Sequence, residues 1–216
     1  MSRWNIAAAQ YAGQHNNVDE HVLHHLRFIE EAAHQQCDLL VFPELSLTGP
    51  GKGALPPPPD DLQLAPLLHA AQSLNITVIA GTTLIHDGQR QKGLALFTPN
   101  IDSIRRYPQG SGASLIPGDK QLSIIDIQSD SPNLDPDATL FTSCQAVGDH
   151  RWRQSINTLQ RFAHKYAIAV LMANARSGSA LWDDKGQLIV RADTGELLLT
   201  GSLGRQGWQG DIIPLG

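Results

Sequence analysis

Cys37 and Cys144 are the only cysteines in the 216 residues, too few for a disulfide framework and in keeping with a reducing cytoplasm. An excess of basic charge is also missing. The chain has 16 Lys and Arg against 21 Asp and Glu, and the net charge of −5 removes the footprint of a nucleic-acid binder or of a protein drawn to anionic membranes. No apolar run approaches the ~20 residues of a membrane-spanning helix, and the opening Met-Ser-Arg-Trp-Asn lacks the apolar core of a secretory signal. Hydrophobic content of 41% beside 17% charged residues is globular and excludes a disordered chain. The expectation is one cytoplasmic domain over residues 1–216, with no nucleic-acid or membrane partner.

What is present centres on Cys37-Asp-Leu-Leu-Val-Phe-Pro-Glu-Leu-Ser-Leu-Thr-Gly49. Four consecutive apolar residues stopped by a proline read as a strand buried on both faces, because Pro43 has no N–H for a ladder bond. Glu44 then lies just beyond the carboxyl end of a buried strand, where open α/β sheets place their sites. A carboxylate in that setting suits general-base work. On position alone, a turn cap or the partner of a structural arginine explains it equally well.

Around this stretch the periods alternate. Trp4 to Gln10 reads as a small-residue strand. Val22, Leu23, Leu26 and Ile29 repeat at helical spacing over residues 18–36, behind the acidic pair Asp19-Glu20. His21 and His25 have the i,i+4 spacing of a metal pair, but no Glu or Cys stands beside them. A solvated helix face accounts for both, and neither metal nor cofactor is expected. Pro56 to Pro59 predict a stiff polyproline II surface segment. A helix over 60–74, a strand from Ile76, an Asp87-Gly88 turn and a strand from Gly93 follow. Further strands are expected at 101–107, 123–127, 138–144, 167–173, 187–191 and 196–200, with a strand and tight turn over 180–186 and a helix at 151–166. This order predicts an α/β fold.

Ile6-Ala-Ala-Ala-Gln10, Asp38 to Gly49, Pro117-Gly-Asp119, Trp152, Val170-Leu-Met-Ala-Asn174 and Gly178 to Gly186 together resemble the nitrilase, or carbon–nitrogen hydrolase, superfamily. The resemblance runs in order through nearly the whole chain. It implies a four-layer α-β-β-α sandwich, commonly paired as a homodimer. It also implies metal-free hydrolysis of an amide or nitrile by a Glu-Lys-Cys triad: the Glu deprotonates the Cys, the thiolate attacks carbon, and the Lys stabilises the oxyanion. Asn174 and Trp152 would then border a site for a small amide or carboxylate ligand.

Glu44 matches the family's Glu, and the other two members do not match. The family Lys follows the strand at 101–109, where this chain has none. Arg105 is the first choice for its place and Gln109 the second, with Lys120 as a relocated lysine in the amidase reading. Arginine is no conservative substitute in a tight oxyanion site. The chain is also shorter than a usual member and lacks one β-α unit.

Two registers follow for the nucleophile. In the favoured one, 123–127 is the nucleophile strand, Ile124 stands near the Cys position, and Cys144 is a bystander on the next strand. In the other, 138–144 is the nucleophile strand and Cys144 attacks. The first predicts a pseudoenzyme that binds or regulates, and the second a thiol amidase with Glu44 as base.

Overall fold

The structure is a computed structural model that describes residues 4–11, 17–51, 53–109, 113–115, 121–124 and 138–215, with the backbone alone for 113–115 and 121–124. Its first sheet has seven strands: β1 (Trp4–Gln10), β2 (Leu39–Val41), β3 (Thr77–His86), β4 (Gln89–Phe97), β5 (Arg105–Pro108), β12 (Leu197–Gly204) and β13 (Gly207–Pro214). The second has six: β6 (Ala113–Leu115), β7 (Gln121–Ile124), β8 (Ala138–Gln145), β9 (Ala169–Asn174), β10 (Ala180–Trp182) and β11 (Leu188–Arg191). Three helices complete the described chain: α1 (Val18–His34), α2 (Asp61–Ser73) and α3 (Asp149–Tyr166).

The layering follows from side-chain alternation. On β1, Ala7 and Ala9 face a core built with Phe28 and Ile29 of α1 and Leu64 and Leu67 of α2. Ile6 and Ala8 face the other way, into a core shared by Leu39 and Val41 with Leu140, Leu171 and Leu181 of the second sheet. A third core packs Leu159 and Phe162 of α3 on Phe141, Val170 and Trp182. A strand segment buried on both faces must be apolar at every position, which is why residues 6–9 of β1 and all of β2 read as unbroken apolar runs. β2 lies between β1 and β3 and pairs in parallel with both. That parallel centre carries the buried strand to the sheet's edge at Phe42, and the site lies there.

Local chemistry fixes the ends. Asn17 caps α1 by accepting from the Glu20 N–H at 2.9 Å. Asp60 and Gln63 form a reciprocal capping box on α2, at 2.8 and 3.2 Å. Asp60→Ala should lower stability by about 1 kcal/mol in urea titration, with the slope unchanged. The Asp87-Gly88 turn joins β3 and β4, both residues in the left-handed region (φ 51° and 75°) that such a hairpin needs.

The structure differs from the sequence reading in several places. β2 is shorter than its apolar run: Phe42 N still donates to Ile79 O at 2.8 Å, but Pro43 has no N–H to continue the ladder and the turn begins at Glu44. β13, unforeseen, pairs antiparallel with β12 at the sheet edge; its alternation is blurred by Gly207, Gly210 and Asp211. His21 and His25 are buried, not on a solvated face. α1 lays His25 against Tyr11 and Phe42, and its ring stacks on Phe42 at 4.0 Å. β7 lies beside β8 in parallel, with Ile124 opposite Thr142. Lys120, Pro117-Gly-Asp119 and the segment 125–137 lie outside the described residues. No described helix is long and apolar enough to cross a membrane.

Candidate functional site

Residues 43–49 form a tight elbow at the carboxyl edge of β2. Ser46 N donates to Pro43 O at 3.3 Å and Gly49 N to Leu45 O at 2.7 Å, with Leu45 (φ 53°) and Gly49 (φ 71°) in the left-handed region. Leu47 N donates to Gly81 O at 2.9 Å, tying the elbow to β3. From behind, the Tyr11 hydroxyl donates to Ser46 O at 2.6 Å, and Ser46 Oγ meets His25 Nε2 at 3.0 Å. His25 Nδ1 lies 2.7 Å from His21 O, which only accepts, so Nδ1 carries a proton and Nε2 is open to the serine hydroxyl proton. Buried Tyr11 has its phenol pushed well above the ordinary range, by burial first and then by Glu196, and so stays a donor. These contacts give the sequence-flagged histidine a structural task. It props up the turn that carries Glu44.

The Glu44 carboxylate is engaged on both oxygens. Lys92 Nζ donates to Oε1 at 2.8 Å, and Gln109 Nε2 donates to Oε2 at 3.0 Å. The two donors are neighbours across the β4–β5 ladder, where Gln109 N bonds Lys92 O at 3.0 Å. The ammonium thus comes from the strand beside the one where the resemblance places it, and an amide stands at the end of β5. Arg105 is exposed on β5 opposite Leu96, while Arg106 pairs with Asp61 at 2.7 Å. Sequence reasoning missed Lys92. Its one trace is that β4 is polar from Gln89 to Lys92 and apolar from Gly93, which places Lys92 at the rim of the core.

The second sheet meets this elbow through one carbonyl. Gln145 O, at the end of β8, accepts from Glu44 N at 3.3 Å and from Ala175 N at 3.2 Å. Cys144 is therefore brought to the Glu44 side of the molecule. Its thiol is pushed up to about 12, by burial first and by the Glu44 charge second. Cys37, at the opposite end of β2, is buried in the helix-side core and reaches about 12 through burial and then Asp38.

Asn174 is fully buried and spends its side chain on Val147, accepting from its N–H at 3.0 Å and donating to its O at 3.1 Å. Trp152 Nε1 donates to Gly178 O at 3.2 Å, with Arg191 over its ring. Both hold the loops around β9 in place. Between the elbow and the end of β9 lies a cavity of about 60 Å³, lined among others by Tyr11, Glu44, Ser46, Pro50, Ala175 and Arg176. Gln10 braces the same end of the fold. Its amide donates to Gly195 O at 3.1 Å and accepts from Ser179 N at 2.7 Å. Among the described residues no cluster of three His, Cys, Asp or Glu gathers to hold a metal.

Comparison with known proteins follows this geometry. Residues 5–99 match the family model for carbon-nitrogen hydrolase. The fold superposes on a CN-hydrolase superfamily protein from Xanthomonas campestris that carries an arsenic adduct in its active site. The TM-score is 0.79 at 15% identity, over 95% of this chain and 92% of that one. An amidase from Nesterenkonia sp. AN1 gives a TM-score of 0.74 at 18% identity, over 91% of each chain. The glutamine-dependent NAD+ synthetase of Acinetobacter baumannii gives 0.76 at 15% identity over 96% of this chain, which spans only 47% of that enzyme's length. At these identities the neighbours speak to the fold. Residues 5–99, the part that carries Glu44, thus match carbon-nitrogen hydrolase by sequence, and nearly the whole chain shares the fold of the CN-hydrolase superfamily protein and the amidase.

Proposed function

We propose that the chain binds a small amide- or carboxylate-bearing molecule in the Glu44 cavity and does not hydrolyse it, acting as a pseudoenzyme of its family. The observation that carries this reading is the state of the pair a thiol hydrolase needs. Glu44 holds one donor on each oxygen, Lys92 and Gln109, and the nearby Cys144 thiol is kept protonated. A neutral thiol is a weak nucleophile. The pocket itself persists, with an acid, a hydroxyl and a guanidinium in its lining. Losing a nucleophile removes orders of magnitude of rate while leaving binding intact.

The competing reading is a thiol amidase with Cys144 as nucleophile and Glu44 as base. It draws on the same proximity, since the Glu44 charge is felt at the Cys144 sulfur. Ammonia release from acetamide, propionamide and acrylamide decides between them. The native chain should release none above the buffer blank. Release that disappears in both Cys144→Ala and Glu44→Gln would establish the amidase instead.

A further inference from the structure

We propose that the Glu44 cavity selects a short molecule carrying both a carboxylate and a neutral amide, with Arg176 as the carboxylate anchor. This deepens the binding reading above and rests on it for the location of the site. The first observation is that the lining includes two residues of opposite charge, delivered by different sheets: Glu44 from the elbow after β2, and Arg176 from the loop after β9. Arg176 has no acidic partner among the described residues. The acid tied to its loop, Asp149, accepts instead from Ser177 Oγ at 2.6 Å. Arg176 is an exposed residue of the cavity lining, and its guanidinium carries a planar fork that fits a carboxylate with two parallel hydrogen bonds.

At the other end, the Glu44 oxygens have room for more than the one donor each now holds, because an ionised carboxylate offers about four acceptor directions. Those directions call for an N–H on the ligand. A neutral amide suits them better than an ammonium, because Lys92 already places a positive charge 2.8 Å from Oε1. Charge points the same way: Glu44, Lys92 and Arg176 sum to one positive charge, which a monoanion balances. Size narrows the class further. A cavity of about 60 Å³ has space for roughly four to six water-sized groups, so the ligand has about as many non-hydrogen atoms. Oxamate, a carboxylate joined directly to a primary amide, has this size and both groups. Acetamide offers the amide alone and leaves Arg176 unanswered, while acetate brings its charge toward Glu44 with no N–H to give.

The geometry is preorganised. Glu44 N and Ala175 N share the Gln145 carbonyl, so both walls are fixed to one point. The Ser177–Asp149 bond holds the Arg176 loop from its far side.

Titration calorimetry with oxamate, acetamide and acetate tests the proposal. Oxamate should bind at least about tenfold more tightly than either of the others, as expected when a charge-assisted pair is added. Arg176→Gln should bring oxamate down to the level of acetamide and leave acetamide itself unchanged, while Arg176→Lys retains part of the gain. Equal affinity for oxamate and acetamide in the native chain overturns the proposal. So does an Arg176→Gln variant of native melting temperature that binds oxamate as before, or the failure of all three probes to bind at tens of millimolar. The same samples are assayed for ammonia. Cys144-dependent release from oxamate would remove the non-hydrolytic reading while the selectivity stood. No release and no preference for oxamate would leave that reading and remove the selectivity.

Discussion

Iodoacetamide at pH 8 should alkylate Cys144 and Cys37 about 10³-fold more slowly than it alkylates free cysteine. Each thiol is raised from an ordinary value of 9.0 to about 12, so at pH 8 the reactive thiolate falls from about one part in ten to about one in ten thousand. Burial is the larger cause at both sites. The smaller cause separates them: Glu44 acts on Cys144, and Asp38 on Cys37. Glu44→Gln should therefore speed alkylation of Cys144 and leave Cys37 as it was, which peptide mass mapping over time resolves. Rapid, stoichiometric labelling of native Cys144 at pH 8 would show an activated nucleophile and sink the pseudoenzyme reading.

The same shifts set an alkaline limit on stability. A thiol whose folded value is raised stays protonated in the folded chain while the unfolded chain loses its proton. Below pH ~9 the two states bind the same proton and the full stability is present. From about pH 9 to 12 the unfolded state binds fewer protons, so stability falls as pH rises. Tyr11, raised in the same sense by burial, adds to the loss at the upper end of that window.

Gly81→Ala should cost about 3 kcal/mol or more and disorganise the elbow, because a methyl group there has nowhere to go. Built on the backbone, it collides with the Pro43 carbonyl oxygen and the Leu45 nitrogen and comes within 2.8 Å of the Glu44 carbonyl carbon. All three are backbone atoms of the turn, so no rotamer change relieves the contact. The substitution must move β3 or lift the elbow away from it. Lifting it breaks the Leu47 N to Gly81 O bond and carries Glu44 away from Lys92 and Gln109. Gly204→Ala is the control, since a methyl there meets nothing within 4 Å and should change stability by less than about 0.5 kcal/mol. Urea titration measures both. A Gly81→Ala chain as stable as the native one would show that the elbow is not wedged against β3.

Much of the fold was legible because single elements announce themselves. Unbroken apolar runs at 6–9 and 39–42 require cover on both sides, and that cover is the helix layer on one face and the second sheet on the other. Pro43 had to end β2, and Glu44 therefore had to stand at a sheet edge. The helices were readable from their period and caps, and the Asp87-Gly88 hairpin from its turn residues. The resemblance added the architecture.

The histidines of α1 were misread for an instructive reason. Period 3.6 tells which residues share a face, but an imidazole is amphipathic, and the sequence does not say whether its face meets water or aromatic rings. Only Tyr11 and Phe42, arriving from other strands, decided that. The chain's local order thus determined the layers, the position of Glu44 and the elbow that holds it. Tertiary structure decided what gathers near Glu44. Lys92, Gln109, Cys144 and Arg176 come from β4, from the end of β5, from β8 and from the loop after β9, and their meeting depends on register between strands and on how one sheet lies over the other. Hydrophobic periodicity reports the burial of one element at a time; it carries no record of which polar side chains from distant segments converge at the shared edge.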